Sequence, residues 1–221
     1  MKKVYLSPSS QTDNKYAYGN TTEAVQCGKI ADACAAALKR SGIDVKVGHM
    51  ITLKEKCSQS DSFGADIHVP IHTNAYNKSV SGTRLMAINA KGEGYKACKA
   101  IYNRLAPLTP GTSENISSNS NLYEINVPKA PTAYIEVDFH DVYAVAKWIV
   151  EHTTEIGETI AHGICDYLGV TYKAPVKEES KPATSGKIYR VQVGAFSNYN
   201  NAKAMQTELK KYGFDGIIKE G

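Results

Sequence analysis

The stretch Ala65-Asp66-Ile67-His68-Val69-Pro70-Ile71-His72 decides the fold. Ile67, Val69 and Ile71 alternate with Asp66, His68, Pro70 and His72, the period-two pattern of a strand with one apolar and one polar face. Upstream, Val4-Tyr5-Leu6 is a short apolar run stopped by Ser7-Pro8, and a polar loop leads to a helix that starts near Thr21. Val25, Ile30, Ala33, Cys34, Ala37 and Leu38 recur there at helical spacing until Ser41-Gly42. Residues 43–47 alternate as a second strand, and 52–60 read as a short helix. Downstream, 82–88 is a fourth strand and 94–105 a helix with Cys98, Ile101, Tyr102 and Leu105 on one face. Residues 107–131 are loop-like, 132–139 a fifth strand, and 142–167 a helix broken around 150–154. Strands alternating with helices imply an α/β unit, a mostly parallel sheet flanked by helices on both faces. Ligands of such sheets bind beyond the carboxyl ends of the strands.

The 221 residues carry 26 Lys+Arg and 22 Asp+Glu, and the surplus is unevenly placed. Residues 1–175 hold 18 basic and 17 acidic side chains, whereas 176–221 hold 8 and 5. A neutral large part argues against duplex nucleic acid as partner, while a basic tail suits an anionic polymer at weak affinity. Residues 173–186 are polar, without apolar pattern, and read as a linker. Beyond it, 188–196 alternate, 200–212 have helical character and 213–219 read as a second strand, a small βαβ segment. The expected divisions are 1–172, 173–186 and 187–221. The five cysteines form no CxxC pair and read as free thiols made in a reducing compartment. After Lys2-Lys3 only three apolar residues precede Ser7-Pro8, too few for a secretory h-region of roughly 7–15. No run approaches the ~20 apolar residues of a membrane span.

Three residues fall on the carboxyl-end rim of this sheet: Glu23 in the first helical turn, His72 at the end of strand three, and Glu136 in strand five. A histidine and a carboxylate suit Zn²⁺, and a second carboxylate can act as general base. Each has an alternative reading. Asn20-Thr21-Thr22-Glu23 fits a capping box, and His72 fits a hydrogen-bonded strand-end histidine. Glu136 interrupts an apolar strand, where an unpaired carboxylate costs several kcal/mol. His68 lies roughly 13 Å from His72 along a strand, too far to share one ion. His140 lies as far from Glu136 unless the chain turns.

Val4 to Pro8, Ala65 to Ala75 and Ala133 to Phe139 together resemble the zinc-dependent type-3 N-acetylmuramoyl-L-alanine amidases, found as bacterial autolysins and phage endolysins. That family's S-I-H-x-N-A segment matches Pro70 to Ala75, and its V-E-x-x-F segment matches Ile135 to Phe139. The resemblance implies Zn²⁺ held by two histidines and a glutamate, with a second glutamate activating water. Glu23 matches the glutamate ligand, His72 the second histidine and Glu136 the catalytic glutamate. The family's first histidine is missing: Ser7-Pro8-Ser9-Ser10-Gln11 stands in its place, which makes Gln11 the candidate third ligand. The implied reaction is cleavage of the amide between N-acetylmuramic acid and L-alanine in peptidoglycan, acting on glycan strand and stem peptide. The alternative is a non-catalytic peptidoglycan-binding module that keeps the amidase fold. Tyr189 to Phe196 followed by Asn201-Ala202 resembles the first half of a SPOR domain, a family that binds peptidoglycan glycan strands. Together these imply a lysin made in the cytoplasm that acts on the wall after release.

Overall fold

The computed structural model describes residues 1–112, 115–175 and 192–220. It divides into two units, residues 1–175 and 176–221.

Six strands of the first unit form one sheet in the order β2-β1-β3-β6-β4-β5. They are β1 (Lys3–Pro8), β2 (Asp44–Val47), β3 (Ile67–Asn74), β4 (Arg84–Ala87), β5 (Asn115–Ser118) and β6 (Tyr134–Phe139). All neighbours run parallel except β4 and β6, which are antiparallel. The helices are α1 (Glu23–Arg40), α2 (Leu53–Phe63), α3 (Glu93–Leu105), the single turn α4 (Tyr123–Asn126), α5 (Tyr143–Glu151) and α6 (Thr153–Leu168).

Alternation along the strands sorts the two faces as the pattern of 65–72 requires. Val4, Leu6, Ile67, Val69, Ile71, Ile135 and Val137 join the main apolar core with Ile30, Cys34 and Leu38 of α1 and Ile156, Ile160 and Ile164 of α6. Full burial of each such aliphatic side chain contributes roughly 1.5–3 kcal/mol. Helix α6 packs between α1 and α3, and its contacts are close. A Cβ at Gly157 would lie 2.5 Å from Ile30 O, and one at Gly163 2.5 Å from Ile101 Cα. The opposite face carries Tyr5, Ser7, His68, Pro70 and His72. There Tyr5 stacks on His68 at 5.2 Å and hydrogen-bonds Gln59 of α2 at 3.3 Å. Pro70 lies between the His68–Thr132 bridge and the Ile71–Ile135 pair, on the same side of the ladder as His68, whose N–H goes to Pro131 O at 3.0 Å, so its missing donor interrupts the ladder toward β6.

Two expectations change here. The stretch 107–131 is not only loop: it contains the edge strand β5 and the turn α4. Strand β3 runs on to Asn74, so His72 lies within it. The helix break falls within the expected 150–154, at His152, which closes α5 and opens α6. In the second unit the helix forms, α7 (Tyr199–Lys211). The flanking stretches 192–196 and 213–219 carry no strand, so the expected βαβ segment is not formed among the described residues. Most of the linker and the start of the first tail strand, residues 176–191, lie outside the described residues. The five cysteines are free and buried, and among the described residues no helix is long and apolar enough to cross a membrane.

Candidate active site

Glu23 owes its availability to the loop before it. The N-cap of α1 is Thr22, whose side chain makes no cap bond. Instead the loop backbone supplies the acceptors: Glu23 N donates to Asn14 O at 2.9 Å and Ala24 N to Gln11 O at 3.2 Å. The Glu23 carboxylate is therefore not a capping-box group. It is buried, and its Oε1 meets His72 Nδ1 at 2.8 Å, while Oε2 accepts from Asn14 Nδ2 at 2.6 Å. The same Asn14 amide donates to Gln11 Oε1 at 2.7 Å. Gln11 thus stands one side chain away from Glu23, but its carbonyl is already engaged.

Register brings the other members in. His72 of β3 pairs with Glu136 of β6, and Glu136 pairs with Arg84 of β4. One irregularity follows directly, with Asn74 opposite Phe139, and such bulges redirect side chains near functional sites. The ring of His72 stacks on Tyr134 at 4.8 Å. Two buried atoms here lack a hydrogen-bond partner, His72 Nε2 and Glu136 Oε2.

The three carboxylates around His72 differ electrostatically. Burial pushes Glu136 up to about 7; the charge of Glu23 adds to this, and His72 and Arg84 oppose it. Burial also acts on Glu23, but hydrogen bonds from His72, Asn14 and Ser9 outweigh it and hold that carboxyl below its usual value. The third, Glu124 of α4, was not legible as a site residue. It is 2 % exposed, and its Oε1 accepts from Ser7 Oγ and meets His68 Nε2 at 3.2 Å. These bonds, with the charge of Lys56, outweigh burial and keep Glu124 below the ordinary carboxyl range. Its Oε2 faces His72 Nε2 across 4.0 Å. The only signal in the sequence is an acidic residue inside the apolar run Leu122-Tyr123-Glu124-Ile125.

A cleft of about 390 Å³ opens here, lined by Ser10, Gln11, His72, Glu124 and Tyr134 among others. His68 serves Glu124 and does not join His72. His140 hydrogen-bonds Thr73 Oγ1 at 2.9 Å and stacks on Tyr16 at 4.9 Å, apart from Glu136. Among the described residues no three His, Cys, Asp or Glu side chains form a ready metal cage. The donors present, one imidazole with an orphaned nitrogen among carboxylates, nevertheless suit a borderline-hard ion such as Zn²⁺.

Comparison with known proteins agrees with this fold. The catalytic domain of CwlV, an N-acetylmuramoyl-L-alanine amidase from Bacillus (Paenibacillus) polymyxa, superposes with a TM-score of 0.69 at 18% identity, over 77% of this chain and 100% of that one. Cwp6 from Clostridium difficile gives 0.69 at 21% identity, over 76% of this chain and 29% of Cwp6. The amidase AmiC2 of Nostoc punctiforme gives 0.66 at 16% identity, over 76% and 97%. No curated protein matches by sequence. The SPOR domain family matches residues 175–221. Residues 6–166 match the Amidase_3 family, so the chain belongs to the N-acetylmuramoyl-L-alanine amidases, with a SPOR domain following.

Proposed function

We propose that the first unit is a Zn²⁺-dependent hydrolase that cuts the amide between the lactyl group of N-acetylmuramic acid and the L-alanine of the stem peptide, in cell-wall lysis. The observation that carries this reading is Glu136: a carboxyl raised to about 7, in register with His72 at the strand ends of an amidase fold. A base poised near neutrality is what proton transfer at working pH requires. Glu136 takes a proton from the attacking water and passes it to the leaving nitrogen. The C–O bond forms as C–N breaks, giving a lactyl carboxylate and the free α-amine of L-alanine. Gln11, Glu23 and His72 would furnish the ion's site, with His72 the imidazole donor and Glu23 the carboxylate bonded to that imidazole. A zinc ion bound there would supply Lewis acidity to the scissile carbonyl. Tyr134, stacked on His72, restrains the ring and walls the cleft. The SPOR domain would hold the chain on glycan strands.

The absence of a histidine at Gln11 favours one other reading, a wall-binding module without turnover. Purified peptidoglycan incubated with the full chain and Zn²⁺ separates the two. The enzyme releases peptides with a new N-terminal alanine, seen by mass spectrometry, and Glu136→Gln lowers the rate at least ~100-fold. No release from the zinc-supplied native chain would leave only the binding module.

A further inference from the structure

We propose that Arg84 of β4 binds a carboxylate of the stem peptide, the one borne by the residue that follows L-alanine. The inference rests on the amidase reading above and deepens it, by naming the residue that reads the peptide side of the scissile bond.

Strand register sets three side chains in one row. His72 of β3 stands opposite Glu136 of β6, and Glu136 stands opposite Arg84. Paired residues project to the same face of a sheet. Arg84 therefore lies on the face that carries His72, while its neighbour Leu85 enters the apolar core. Because β4 runs antiparallel to β6, Arg84 begins its strand beside the end of β6, at the rim where His72 and Glu136 stand. Two strand spacings of about 4.8 Å put its Cα about 10 Å from that of His72.

The guanidinium is held in place but has no acceptor. Its Cζ lies 5.3 Å from the centre of the Phe139 ring, and such stacking fixes the plane of the fork. Arg84 is partly buried, and its buried Nε has no partner. Among the described residues it makes no ion pair, with Glu136 or with any other carboxylate. The other two arginines of the first unit each hold one: Arg40 meets Glu158 at 2.6 Å and Arg104 meets Asp166 at 2.8 Å. A sheltered charged donor left unpaired calls for an acceptor from outside the chain. The planar fork of arginine matches a carboxylate in two parallel hydrogen bonds. Two residues of extended chain span about 7 Å. With the scissile carbonyl between His72 and Glu136, a carboxylate on the second stem residue falls one strand further along the row, over Arg84.

The test compares two substrates of the full chain supplied with Zn²⁺: N-acetylmuramoyl-L-alanyl-γ-D-glutamyl-L-lysine, with a free α-carboxylate on the glutamate, and its α-amide. The acid should show a KM about 10–100-fold below that of the amide, at similar kcat. Arg84→Gln should raise the KM of the acid to that of the amide and leave the kinetics of the amide near native. Equal KM for the two substrates in the native chain overturns the proposal. So does a fall in kcat on both in R84Q with the preference for the acid intact, which would make Arg84 a partner of Glu136 instead. The acid–amide comparison uses native side chains, so it decides even where R84Q does not fold. Hydrolysis of neither substrate removes the amidase reading, and the proposal is then decided by calorimetric titration with the free peptide L-alanyl-γ-D-glutamyl-L-lysine and its α-amide. The acid should bind about 10–100-fold more tightly; equal affinities, or none for either, overturn the proposal.

Discussion

Replacing Glu136 by glutamine should change how stability depends on pH, in a window fixed by its surroundings. Its carboxyl rises from an ordinary 4.5 to about 7 in the fold, chiefly through burial. Between those values the unfolded chain loses the proton and the native chain keeps it, so stability falls as pH rises. The contribution is complete below pH 4.5 and gone above about 7. At about 1.4 kcal/mol per pH unit, that interval corresponds to about 3 kcal/mol. Glu136→Gln has no proton to hold, so its stability should lack this decline. Glu23 and Glu124, both lowered, contribute with the opposite sign at more acid pH and are common to both proteins. The only tryptophan is Trp148, in α5, so urea denaturation followed by fluorescence reports on the first unit alone. Measured at pH 4.5, 5.5, 6.5 and 7.5, the native and E136Q curves should diverge by about 3 kcal/mol. Parallel curves would refute both the assigned burial cost and the idea that Glu136 is poised as a base near neutrality.

Wall hydrolysis by the native chain should rise with pH through about 7, because the base must be ionised; a flat rate from pH 5.5 to 8 would contradict this. His68→Leu strands a buried Glu124 without its imidazole and should cost about 3–5 kcal/mol, while His68→Leu with Glu124→Leu should recover most of that in urea titration. Gly157→Ala pushes a methyl toward Ile30 O at 2.5 Å and should destabilise by about 1–3 kcal/mol despite the better helix propensity of alanine.

The strands and helices up to residue 105 were readable because burial there obeys simple periods, and the polar face of 65–72 announced where chemistry could sit. Glu136 stood out for the same reason, as a carboxylate breaking an apolar run. Glu124 did not, since a single helical turn leaves no period to read and its partners Ser7 and His68 lie 117 and 56 residues away. The capping-box reading of Glu23 failed because backbone carbonyls of Gln11 and Asn14, invisible to any side-chain pattern, took over the cap. The antiparallel placement of β4 was equally hidden, because strand direction is a property of pairing and not of the strand's own residues.

The strand order β2-β1-β3-β6-β4-β5 places the last strand made between two made earlier. During synthesis β3 and β4 must therefore wait with unsatisfied edges until residue 139 has emerged, and closure depends on contacts distant in sequence. Glu136 arrives on that closing strand. A nascent or truncated chain that stops before β6 holds Glu23, His72 and Glu124 but not Glu136, so the cluster around His72 is complete only after the insertion that completes the sheet.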